Sequence, residues 1–213
     1  MDTSYLTLAR PADVETEVKR SRFRCTLRRV ETEADARAVL DGLRRRHWDA
    51  RHHCSAFVVG PPPMPVERSS DDGEPAGTAG APMLEVLRGH GGEGVSDVVA
   101  VVTRWFGGTL LGAGGLVRAY GDAVRAGLEA AGTVRRELVR EHVLALSHAD
   151  AGRVESELRA RGVAVLGSEY AAGVTLRLGV PPADEGRIAA TVAELTAGSA
   201  STTVVGERWV DRP

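Results

Sequence analysis

The chain has 213 residues, enough for one large or two small domains, and its 43% hydrophobic and 26% charged content excludes a disordered or fibrous protein. With 27 basic against 29 acidic residues it is no histone-like polycation, and 4% aromatic residues leave few side chains for base-stacking platforms. Cys25 and Cys54 form no CxxC pair, the N-terminus lacks the apolar run of a signal peptide, and the longest apolar stretch, Val98 to Val102, is too short to span a bilayer, so a reduced, cytoplasmic location without membrane contact is expected.

In chain order, Val14 to Val30 reads as extended, either one long strand or a hairpin turning near Lys19 to Ser21. Thr32 precedes a helical stretch with Ala36, Val39, Leu40 and Leu43 on its apolar face and Arg44 to His47 in the last turn. His52 to Val59 reads as a strand stopped by Pro61-Pro62-Pro63, followed by the loop SSDDGEPAGTAG, a short helix opening near Pro82 and a strand from Val98 to Thr103. A helix with the stripe Leu116, Tyr120, Val124 and Leu128 follows the glycine-rich FGGTLLGAGG and ends at Gly132. Beyond it come a strand at Leu138 to Leu146, a helix capped by Ser147 and Asp150, strands at Val163 to Tyr170 and Val174 to Val180, a helix opened by Pro181-Pro182, and a last strand from Ser201 to Val210. The expected fold class is α+β, with residues 1–133 as one domain and residues 134–213 as a ferredoxin-like βαββαβ domain.

Four groups of residues could carry function. In KRSRFRCTLRR, Arg20, Arg22, Arg24 and Arg28 fall on one side of an extended chain and Phe23, Cys25 and Leu27 on the other, which displays arginines at roughly 7 Å intervals to a phosphate backbone. The same face would be merely solvated if Glu15 and Glu17 paired with it. The loop with Asp71, Asp72, Glu74 and Thr78 offers carboxylates to a cation or amides beyond Thr78 to an anion, or forms a rigid turn in which the acids cap backbone donors. His52 and Cys54 share one face of a strand, but the spacing matches neither a zinc site nor a nucleophile pair, so no metal is expected. Arg104, Gly107 and Gly108 stand at the junction before the glycine-rich segment, whose late helix and Val117 exclude a dinucleotide fingerprint.

The motifs DARHHCSAFVVG, SDDGEPAGTAGAPML and VVTRWFGGTLLGAGGLVRAY, with SRF upstream, closely resemble the YigZ/IMPACT family (UPF0029) in its two-domain bacterial form. They span about residues 20–121, and Ala81 and Ala113 depart from the lysine and hydroxyl residue common there. The resemblance implies a ribosomal-protein-like βα domain similar to domain IV of elongation factor G, then a ferredoxin-like domain similar to its domain V. It also implies a link to translation, which eukaryotic relatives control. The expectation is a non-enzymatic, cofactor-free regulator that meets RNA or a ribosomal component through Arg20, Arg22, Arg24, Arg28, His52, Asp72, Glu74, Thr78, Arg104, Gly107 and Gly108. Two alternatives stay open. One is an enzyme for a phosphorylated substrate, with His52 as acid or base, Arg104 as phosphate clamp and Asp72 or Glu74 on a metal. The other is a pure protein-interaction regulator of the translation machinery.

Overall fold

The computed structural model describes residues 4–212 as two compact units, the first running to Arg135 and the second spanning Arg136–Arg212. The first contains β1 (Ser4–Leu8), β2 (Ala12–Val18), β3 (Ser21–Arg29), α1 (Glu33–Arg46), β4 (His52–Val59), β5 (Val66–Ser70), α2 (Gly80–Gly89), β6 (Val98–Trp105) and α3 (Ala113–Ala131). Its main sheet has the order β2-β3-β6-β4-β5, with every neighbouring pair antiparallel. The long stretch 14–30 resolves into the hairpin β2–β3. Its turn residues Lys19 and Arg20 both have positive φ, +49° and +66°, which matches the twist of a two-residue hairpin.

Alternation along the strands divides the core between the two sheet faces. Phe23, Cys25, Leu27, Cys54, Ala100 and Val102 pack under α2 and α3 against Met83, Leu87, Leu116, Tyr120, Val124 and Leu128. Phe57, Val59, Val99 and Val101 face the other way and pack under Ala36 and Leu43 of α1. Each such large apolar side chain removed from water contributes about 1.5–3 kcal/mol. Thr32 caps α1 by accepting the Asp35 amide at 3.1 Å, and Glu33 and Asp35 suit the positive end of that helix.

Strand β7 (Thr133–Leu146) begins in the first unit and continues into the second, which adds α4 (His148–Ala160), β8 (Ala164–Tyr170), β9 (Val174–Val180), α5 (Glu185–Leu195) and β10 (Thr202–Arg212). The order β10-β7-β9-β8 with two helices is the split-βαβ, ferredoxin-like arrangement. Its core sets Leu144, Leu176, Leu178 and Val180 against Val154, Leu158, Ile188 and Val192. Ser147 caps α4 as its spacing predicts, whereas Pro182 opens a 3-10 turn and α5 starts only at Glu185. Among the described residues no helix is long and apolar enough to cross a membrane.

Candidate functional site

The sequence-predicted residues separate onto opposite faces of one sheet. Arg22, Arg24 and Arg28 alternate with the buried Phe23, Cys25 and Leu27, which places them on the α1 side. There Arg22 lies 3.7 Å from Glu15, while Arg24 and Arg28 lie 3.9 and 2.6 Å from Asp13, and Arg22 also stacks over Trp105 at 4.6 Å. Arg20 is not on that face. It occupies the hairpin turn, and its guanidinium reaches Thr109 at 3.1 Å.

On the α2/α3 side, His52, Glu74 and Arg104 come together. Arg104 and Glu74 are both buried and paired at 2.6 Å, and the Tyr120 hydroxyl donates to the same Glu74 oxygen at 2.8 Å. Removing two charges from water is costly, so this pair holds because its geometry is close and its hydrogen bonds are shared. The Arg104 guanidinium also lies over Phe23 and Phe106, 5.3 and 5.8 Å from their ring centroids. His52 Nδ1 lies 2.9 Å from the Asp72 carbonyl, an acceptor only, so Nδ1 carries the proton. His52 Nε2 lies 3.8 Å from Glu74, beyond hydrogen-bond reach. Cys54 sits behind them, its thiol 3.0 Å from the Asp71 carbonyl and 3.3 Å from the Tyr120 hydroxyl, and burial pushes it up to about 12. Burial also raises the Tyr120 phenol above its ordinary range. Both groups therefore stay protonated.

The carboxylates of the acidic loop diverge, which corrects the shared cation site considered for them. Asp71 accepts the amides of Gly77, Ala79 and Gly80 at 2.8, 3.0 and 2.8 Å. It thereby occupies the anion position beyond Thr78 itself and supplies the cap that Ala79 cannot give α2. Burial works against the Asp71 charge, but the bonds from Gly77, Gly80 and Ala79 outweigh it and hold its pKa below 3.8. Asp72 turns to Arg44 and to the His53 amide, 2.7 Å each, leaving Glu74 alone in the site. Thr78 donates to the Pro75 carbonyl and serves the turn. No three His, Cys, Asp or Glu side chains gather to hold a metal among the described residues.

A cleft of about 350 Å³ opens over this cluster, walled by Phe106, Leu110, Leu111 and Leu116 and entered by Arg51. The loop 106–112 is held by a close approach: a Cβ on Gly107 would stand 2.0 Å from the Arg20 carbonyl carbon, and the Gly107 amide donates to Ser21 Oγ at 3.1 Å. Gly112, at φ +71°, then starts α3 with no side-chain cap. Gly108 also takes positive φ, in the same loop. A larger hollow of about 460 Å³ runs between α2 and α3 past the exposed Glu85, Arg118 and Arg125, but it gathers no buried polar group.

The Impact N-terminal domain model matches residues 19–128, and the model of a domain of unknown function, DUF1949, matches residues 144–199. The IMPACT family member YvyE of Bacillus subtilis is 40% identical over 195 residues, 92% of this chain and 88% of its own. The chain belongs to the IMPACT family. A second member, YigZ of Escherichia coli, is 39% identical and is matched over 96% of this chain and 99% of its own. A crystal structure described only as that of a hypothetical protein is 38% identical, covering 96% of this chain and 98% of that one with a TM-score of 0.63. In this family member, sequence reasoning missed Tyr120, Phe106 and the α3 start as parts of the site. The tyrosine was the available signal: a hydroxyl in an otherwise aliphatic buried stripe requires a partner.

Proposed function

We propose that the protein is a non-enzymatic regulator associated with translation, and that its first unit binds RNA or a ribosomal component through the cleft at the β6–α3 junction. Family membership supports the translational side of this reading. The observation that carries the binding side is the convergence of His52 from β4, Glu74 from the acidic loop and Arg104 from β6 on one apolar-walled cleft. Glu74 is engaged by Arg104, and burial keeps Cys54 and Tyr120 protonated, so none of the three is set up as a nucleophile or base, which favours binding over chemistry. The arginine face is the weaker attraction. Asp13, Glu15 and Glu17 on β2 run beside Arg22, Arg24 and Arg28, their charges sum to zero, and little field is left to draw a phosphate backbone.

Crosslinking and sequencing of RNA held by the tagged protein in its own host, with a ribosome gradient alongside, tests this reading. It expects enriched RNA or co-sedimentation with ribosomal particles. Recovery no greater than from an untagged strain in both measurements overturns it and favours a protein partner.

One observation favours a second reading, an enzyme for a phosphorylated substrate. The Asp72 carbonyl accepts the His52 Nδ1–H, which leaves Nε2 as the ring nitrogen available for proton exchange with a substrate. Release of inorganic phosphate from phosphomonoesters, abolished by His52→Ala, would put this reading in place of binding alone.

A further inference from the structure

His52 and His53 are neighbours on β4, so their side chains leave opposite faces of the sheet: His52 lines the cleft, and His53 turns to the α1 side with Phe57 and Val59. Asp72 holds both. Its carbonyl accepts the His52 Nδ1–H at 2.9 Å, and its carboxylate takes the His53 amide and the Arg44 guanidinium of α1 at 2.7 Å each. The acidic loop, β4 and α1 are therefore clasped together at the point that aims His52. His53 itself is only 5% exposed. One nitrogen of its ring is engaged by the His47 backbone, whereas Nε2 is buried and has no partner among the described residues. Thr103 stands directly opposite on β6, but its buried hydroxyl is unpartnered as well, so the two do not bond. His47 Nε2 is a third such atom, on a ring set edge-on against Trp105. The charged and titratable groups that face His53 are Asp72 from the acidic loop and Arg44 and His47 from the end of α1; Arg24, beyond Thr103 on β3, acts on His47. A second proton on this ring creates a buried N–H without an acceptor and a charge beside a guanidinium, both costly.

We propose that His53 is a proton-driven latch on the cleft: when its ring gains the second proton it draws the Asp72 carboxylate off Arg44, the end of α1 opens, and His52 loses the carbonyl that aims it. Arg44 has a second acid to turn to, Asp41 on its own helix at 3.9 Å. The turn that opens is held by few bonds, from the His47 amide to Leu43, the Ala50 amide to His47 and the Arg51 amide to Arg104. Burial, opposed by Asp72 and supported by Arg44 and His47, holds the His53 pKa below 6.5. The open state therefore binds the proton more readily than the closed one. The closed state is fully favoured above 6.5 and loses ground as pH falls below it. This latch is independent of what the cleft binds and sets the condition under which the cleft is ready to bind it.

Amide hydrogen exchange followed by nuclear magnetic resonance on the full chain, between about pH 7.5 and about pH 5 and corrected for the intrinsic pH dependence of exchange, tests the latch. Protection of the His53 amide and of amides 44–51 should fall by about tenfold for each unit of pH below about 6.5, the dependence of an opening that takes up one proton. Amides in the middle of α2 and α3 should keep their protection over the same range. His53→Leu and His53→Gln cannot take the proton, one by removing the polar ring and the other by keeping a neutral amide in its place, and in each the fall should vanish. Protection that is flat across the range in the unaltered chain overturns the latch. A fall that persists in both variants overturns it too, as does a fall shared equally by α2 and α3, which is unfolding of the whole unit. No ligand enters the measurement, so its result leaves the binding reading to its own test.

Discussion

Asp71→Ala isolates the residue that joins the acidic loop to α2. Three amides lose their acceptor, and those of Ala79 and Gly80, both buried residues, are the costly ones. At about 1–1.5 kcal/mol for each, with the exposed Gly77 amide returning to water, the first unit should lose about 2–3 kcal/mol. Urea unfolding followed by tryptophan fluorescence, in a Trp209→Phe background so that Trp48 and Trp105 report alone, should show the midpoint falling by on the order of 1 M with an unchanged slope. Asp71→Asn keeps an oxygen for Ala79 and Gly80 and should cost about half as much. Acid supplies the sign. Because the folded pKa is held below 3.8, the carboxylate's contribution is fully present above that value and is lost as pH falls through the folded value. The gap between wild type and Asp71→Ala should therefore be constant at neutral pH and close in acid. A midpoint that moves by less than about 0.3 M would refute the capping argument.

Further outcomes follow from the same geometry. Glu74→Ala leaves Arg104 buried without its counter-ion and should cost about 3–5 kcal/mol in the same urea assay, whereas Tyr120→Phe should cost only about 1 kcal/mol. Gly107→Ala forces a Cβ into the Arg20 carbonyl, and hydrogen exchange should show lost protection in the β2–β3 turn with α4 and α5 unaffected. Replacing Arg22, Arg24 and Arg28 with glutamine, together with Asp13→Asn and Glu15→Gln, should change the slope of log RNA affinity against log salt by less than about 0.7, the value of one single-strand phosphate contact. A change near 2 would return binding to the arginine face.

The second unit was legible because its strands and helices carry clear periods and its turns carry Ser147, Gly162 and Gly198 at the expected places. β1 and β5 were not. Ser4–Leu8 is short, and Val66–Ser70, following a proline-rich segment, is polar; its strand state comes from pairing with β4 and not from its own composition. The strand period placed Arg22, Arg24 and Arg28 opposite Phe23, Cys25 and Leu27, but only the sheet order reveals that Arg104 shares the Phe23 side. That assigns the arginines and the cleft to different faces. The divergence of Asp71, Asp72 and Glu74 was equally hidden, since a run of acids does not say which amide or guanidinium each will meet.

Ultraviolet crosslinking of the purified chain to single-stranded RNA, with the crosslinked peptides identified by mass spectrometry, tests the central claim most directly. The account predicts crosslinks confined to His52, Phe106 and the 110–116 segment. Crosslinks at β3 and Trp105 or in the second unit, with the cleft peptides unmodified, would contradict it.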